Sequence, residues 1–244
     1  MNRSVKRLMA AAAVATTLAG GALAGTAFAG TDVAAPSPTN GASQAAVIAR
    51  LKQRGDFEID RRLGTLTTLG GIVTDSTHLT DADRQELLNE ISSDKAGLTA
   101  LKAKIDADTD AGTLRVDVRT IVTGYRVYVL LEPKVHLVRA ADAAAVLGDR
   151  FATIATKLQA RIDAAKASGK DVTAAQAALD DMKAKAADGK AKASPVPGEV
   201  IPLTPSGYPG NRPTLVSARG VLLQVKADYQ TARADAQTVV NDLK

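Results

Sequence analysis

Between Leu215 and Leu243, apolar residues return at alternating steps of three and four: Leu215, Ala218, Leu222, Val225, Tyr229, Ala232, Ala236, Val239 and Leu243. Unbroken heptad spacing predicts a long helix with a coiled-coil-like seam, about 45 Å in length at about 1.5 Å per residue. Such a seam serves packing within the chain or dimerisation equally, so the pattern leaves the oligomeric state open. Upstream, Ile48, Leu51, Ile59, Leu63, Leu66 and Val73 predict a helix that ends near Ser76 and is weakened or bent at Gly55 and Gly70-Gly71. Thr80 and Asp83 form a capping-box-like start for a helix carrying Leu87, Leu88, Ile91, Leu98, Leu101 and Ile105, which stops around Asp108. Leu114, Val118, Ile121, Tyr125 and Tyr128 then share one face. Pro133 predicts a kink or restart there, because its ring removes a donor and crowds the preceding turn.

Beyond Pro133 the pattern continues through Leu147, Phe151, Ile154, Leu158 and Ile162 until Ser168-Gly169-Lys170 closes it. Asp171 is placed to cap a returning helix with Val172, Ala175, Leu179, Met182 and Ala186 inward, giving an antiparallel hairpin. Five prolines between Ser194 and Arg212 predict a long loop, which Val200, Ile201, Leu203 and Tyr208 would hold along the bundle. The fold class expected is all-α, an elongated antiparallel helical bundle with long coiled-coil-like helices, formed by residues 43–244 as one domain.

The first residues follow a different pattern. Arg3, Lys6 and Arg7 precede an uncharged stretch from Leu8 to Leu23, and Ala27-Phe28-Ala29 fits the small-x-small motif of a signal peptidase. Residues 1–29 therefore read as a cleaved secretory signal peptide, followed by a flexible leader, 30–42, with Pro36 and Pro38. Losing the three basic residues lowers the formal net charge from +5 to +2. The high isoelectric point then gives no support for a nucleic-acid partner, which would need a concentrated basic face. The chain has no Cys, so neither a disulfide nor a lipoprotein anchor is expected, and no stable membrane insertion is expected after cleavage. With 3% aromatic residues and no Trp, the core must be aliphatic and Ala-rich, which suits closely packed helices better than a ligand cavity.

Candidate chemistry is sparse. Asp106, Asp108 and Asp110 alternate between two helices, and Asp117 falls at the twelfth position of an EF-hand-type loop. Alternating carboxylates can converge on Ca²⁺, which takes six to eight oxygen ligands. The loop departs from that pattern at its sixth position, where Ala111 stands and Gly112 comes one place late. Capping and the helix dipole explain the same aspartates without a metal. His78 and His136 lack a Cys partner, a second His at helical spacing or a nucleophile motif, so surface or packing roles are expected. Ser168-Gly169-Lys170 reads as a turn rather than a phosphate loop. Tyr125 and Tyr128 share the apolar stripe and are expected in the core with satisfied hydroxyls, beside Arg115, Arg119 and Arg126. Charge is uneven: residues 81–110 hold eight acids and four bases, residues 157–192 eight bases and five acids. That polarity could orient the bundle on an anionic wall polymer or be spent on pairing within it.

The run Tyr125-Arg126-Val127-Tyr128 leading to Pro133-Lys134-Val135-His136-Leu137, with Leu101-Lys102-Ala103-Lys104-Ile105-Asp106 and Tyr208-Pro209-Gly210-Asn211, resembles exported, Ala-rich helical proteins of Gram-positive bacteria. The resemblance implies a cell-envelope or extracellular location and brings no catalytic residues. The reading expected is a non-enzymatic structural or interaction protein, secreted or held non-covalently at the wall, with cell-wall polymer or a surface protein as partner. The alternative is a weak extracellular Ca²⁺ or small-ligand binder using the Asp106 to Asp117 turn.

Overall fold

A computed structural model describes residues 41–244. The signal peptide and most of the leader expected from the sequence lie outside the described residues. Of those described, 86% are helical and none is in a strand, which makes the fold an all-α helical bundle. Five long or medium helices, α1 (Gly41–Thr74), α2 (Asp81–Ala107), α3 (Ala111–Thr123), α4 (Glu132–Ala167) and α5 (Thr173–Ala193), are followed by the short α6 (Val196–Val200) and by α7 (Arg212–Asp242). They pack as two three-helix units. The first is made of α1, α2 and α3; the second of α4, α5 and α7, with α6 lying against α4 and α7. No described helix is long and apolar enough to cross a membrane.

Local sequence signals place most helix ends. The Thr80 hydroxyl accepts from the Asp83 amide at 3.1 Å, as anticipated from the spacing, and donates to the Asp83 carboxylate at 2.7 Å, while the Thr80 amide turns to Asp142 instead of closing the box. Arg84, one turn into α2, donates to the carbonyls of Val73, Thr74 and Ser76 and so satisfies the end of α1. Asp110 caps α3 by accepting from the Thr113 amide at 2.7 Å, and the Asp171 carboxylate accepts from the Thr173 amide at 2.9 Å. Ser168-Gly169-Lys170 is a turn, with Gly169 at φ +83°, a conformation that L side chains resist.

The structure refines one expectation and corrects two. First, α1 runs without a break through Gly55, Gly64, Gly70 and Gly71. The helix holds because Ile59, Leu66, Leu69 and Val73 are buried against α2 and α3, and tertiary packing outweighs the glycines' poor propensity. Gly55 is also useful, since a Cβ there would stand 3.2 Å from Ile105 Cγ2. By contrast, a Cβ at Gly64 or Gly71 would meet nothing within 4 Å. Gly64→Ala and Gly71→Ala are therefore expected to stabilise the protein by about 0.5–1 kcal/mol each, read as a higher urea midpoint.

Second, the chain breaks before Pro133 rather than at it. Helix α3 ends at Thr123, and Arg126 adopts the left-handed conformation at φ 48° and ψ 33°. A π-helical turn, Val127–Leu131, then leads into α4. Pro133 falls in the first turn of α4, where its missing N–H leaves little unmade. Before it, the Glu132 amide bonds to the Val127 carbonyl, a wider turn than α-helical spacing, which relieves crowding by the proline ring. Third, the Pro-rich segment contains helix: Val196–Val200 forms a helical turn with Pro197 at its start, and Val196, Pro197 and Val200 are buried. The segment packs on the bundle as expected, with Ile201 and Leu203 against the core.

In α7, the seam from Leu215 to Val239 is buried within the chain, facing α4 and α5. Its centre is Tyr229, whose ring lies 5.4 Å from that of Phe151 and whose hydroxyl donates to the Ala144 carbonyl at 2.7 Å. The ring fits only because α4 and α5 present glycines. A Cβ at Gly189 would come within 2.5 Å of Tyr229 Cε1, and one at Gly148 within 2.9 Å of the Tyr229 hydroxyl oxygen.

Candidate functional site

Where the two bundles meet, α4 carries the most deeply enclosed charge among the described residues. Lys134, next to Pro133, is 1% exposed and flanked along α4 by the buried Val135, Leu137 and Val138. Its ammonium donates to both carboxylate oxygens of Glu90 at 2.8 and 2.7 Å and to the Leu203 carbonyl at 2.7 Å. All three N–H groups are thus engaged, which is the condition under which a buried cation is tolerated. Glu90 belongs to α2 and Leu203 to the connection between α6 and α7. One side chain on α4 therefore ties the first bundle to the second.

Further polar contacts surround this clamp. The Asp142 carboxylate, on α4, accepts from the Thr80 amide at 2.9 Å and so holds the start of α2. Tyr128 lies under Arg61 and Arg62, with centroid distances of 5.6 and 5.1 Å, and Arg62 pairs with Glu58. The Arg126 guanidinium stands 4.8 Å from the Tyr208 ring centroid, so the strained residue is braced by the loop before α7. Tyr125 crosses α2 at Gly97, where a Cβ would stand 2.6 Å from its hydroxyl oxygen. Both tyrosines are half-buried rather than enclosed.

Two carboxyls here hold protons unusually tightly. Burial, reinforced by the Glu90 carboxylate and opposed by Lys134, pushes Asp94 up to about 7. Burial also raises Asp142 to about 6, against the lowering effect of the Thr80 hydrogen bond. A pKa raised on folding means that the native state binds more protons than the unfolded chain. The stabilisation is complete below the ordinary value of 3.8 and is lost as pH rises through about 6 and then about 7. The unfolding free energy is accordingly expected to fall by on the order of 2 kcal/mol between pH 5 and pH 8, after allowance for partial solvent screening, and to be read as a lower urea midpoint. Asp94→Asn should flatten that fall and be the more stable form at pH 8. A wild-type midpoint that climbs over this range would contradict the assignment.

The aspartate turn is organised differently. Asp108 ends α2 and accepts from the Asp110 amide at 3.0 Å, while Asp110 caps α3 and is held below the ordinary carboxylate range by the Thr113 amide and hydroxyl. Asp117, 4% exposed, pairs with Lys104 at 2.8 Å. Lys104 is in turn raised by that hydrogen bond and charge, with a smaller contribution from the charge of Asp108, so its ammonium is paired to Asp117. Asp106 contributes its backbone carbonyl to Lys52 at 2.6 Å, and its carboxylate is not drawn into the group. The outer oxygens of Asp108 and Asp117 are enclosed and accept no hydrogen bond among the described residues. No set of three or more His, Cys, Asp or Glu among those residues is arranged to hold a metal ion. His78 sits half-buried in the turn before α2, and His136 is exposed on α4.

Comparison of the chain with protein-family models, curated proteins and solved structures finds no match. The junction is thus assigned from its own geometry. The sequence names Lys134 only within a resemblance; nothing local marks it as buried, since Glu90 and Leu203 lie 44 and 69 residues away. Of the bases in residues 157–192, the four lysines of α5 are paired, through Lys183–Asp180, Lys185–Asp228, Lys190–Asp149 and Lys192 with Asp188 and Asp228.

Proposed function

We propose that this is an exported, non-enzymatic interaction protein of the cell surface, which presents long helical faces to a wall polymer or to another surface protein. The observation that supports it best is the saturation of Lys134. The cation that would draw attention as a buried reactive group has every N–H committed to joining the two bundles, with no donor left for a substrate. The buried polar groups of the junction serve to hold helices together, and exposed helical surface remains as the means of interaction. The N-terminal basic, apolar and small-x-small pattern supports export. Fractionation of producing cells into medium, wall and membrane tests the proposal. The protein is expected to begin at Gly30 and to elute from isolated walls as salt rises. Recovery only from cytosol, with Met1 intact, would refute it.

A second reading, weak Ca²⁺ binding at the Asp106 to Asp117 turn, is favoured by the two unpartnered oxygens of Asp108 and Asp117. Lys104 opposes it by pairing with the Asp117 carboxylate. Millimolar Ca²⁺ raising the melting temperature of the wild type but not of Asp117→Asn would support this reading; no shift would remove it.

A further inference from the structure

Alongside its buried seam, α7 carries a second seven-residue repeat. Arg212, Arg219, Lys226 and Arg233 are all exposed, and no ion pair or side-chain hydrogen bond engages any of them among the described residues. Because the row and the seam share one period, the cations stay at a nearly constant angle from the buried face instead of winding around the helix. Successive charges are about 10 Å apart along the axis, and the four span about 31 Å. The opposite flank of α7 is acidic and is turned inward: Asp228 meets Lys185 and Lys192 of α5. Most cations of α5 are neutralised in this way, while those of α7 are left to solvent. Next to the row stand Val216 and Leu223, 54% and 49% exposed, with Gly220 between them opening onto empty space.

We infer that this face of α7 is a binding ribbon for a linear phosphodiester polymer built on polyols. The inference rests on the interaction reading above and names the ligand chemistry. A single straight line of unpaired cations matches a chain of regularly spaced phosphates, and the exposed valine and leucine can lie against the hydrocarbon backbone between them. A membrane surface fits less well, since the charges form a line and the face carries no Trp, Phe or exposed Tyr to anchor at an interface. A single-stranded nucleic acid fits less well too, because this face of α7 carries no exposed aromatic on which bases would stack.

The test uses the folded protein with a poly(glycerol phosphate) of defined length as probe, beside vesicles containing phosphatidylglycerol and a single-stranded oligonucleotide. One variant carries Arg212→Gln, Arg219→Gln, Lys226→Gln and Arg233→Gln. A control makes the same change in net charge on the first bundle with Arg50→Gln, Arg54→Gln, Arg115→Gln and Arg119→Gln, also exposed positions. Circular dichroism and urea midpoints verify that both fold. The row variant is expected to bind the polymer about thirtyfold more weakly at low salt and with a shallower salt dependence, while the control binds within about threefold of the wild type. Equal losses in both variants reduce the effect to net charge and overturn the inference. So does an unaffected row variant, tighter binding to vesicles or oligonucleotide, or a wild type that ignores the polymer. If the wild type ignores the polymer yet is retained on isolated walls, the inference fails and the interaction reading survives; loss of both defeats both.

Discussion

Lys134→Met is expected to destabilise the protein by about 3 kcal/mol, among the largest effects of any single substitution in the chain. The methionine keeps much of the apolar stem but leaves the Glu90 carboxylate facing a thioether and the Leu203 carbonyl without its donor. Glu90 is itself only partly enclosed, so water can take up some of the loss. Adding Glu90→Leu to Lys134→Met should restore much of the stability, because two apolar groups of similar volume demand no partner. Urea unfolding followed by circular dichroism gives both values. A single variant within about 1 kcal/mol of the wild type would show that the clamp adds little to cohesion.

The second large effect is expected at Gly189. A helix interior ordinarily welcomes Gly→Ala by about 1 kcal/mol, yet here the new methyl would enter the Tyr229 ring at 2.5 Å from Cε1. Neither backbone nor ring can yield easily, since Tyr229 is wedged beside Phe151 and hydrogen-bonded to Ala144. The net cost should reach about 2–3 kcal/mol, opposite in sign to Gly64→Ala and Gly71→Ala. Tyr229→Ala combined with Gly189→Ala should cost clearly less than the two added separately, because without a ring the methyl has room. Strict additivity in that cycle would mean that the close approach is not what makes Gly189 necessary.

The contrast between these two sites shows what the sequence can reveal. The α7 seam was legible because a buried helical face imposes a period, and each seam residue from Leu215 to Val239 is buried. The Thr80 cap on the Asp83 amide and the Asp171 hydrogen bond to the Thr173 amide were legible because their partners lie within three residues, although Val172 and not Asp171 is the N-cap of α5. Pro133 drew the helix break to itself, whereas the chain turned earlier at Arg126, where a non-glycine residue in the left-handed region gives no compositional warning. The Lys134 clamp and the Lys104–Asp117 pair depend on which helices meet, and no local spacing encodes that. The cationic row of α7 was visible in principle. Its seven-residue recurrence stands in the sequence, but whether those charges are free or paired depends on the neighbouring helix.

Helix α4 belongs to the second bundle and reaches the first through Lys134, and its described residues show no interruption between that clamp and the packing around Phe151. Rotational phase therefore passes from one end of the molecule to the other through a fixed number of residues, each turning the axis by about 100°. The bearing of the α7 face relative to the α1–α3 surface is set by that count, as the pitch of a screw sets where its slot stops. A partner that grips one end would find the other already aimed.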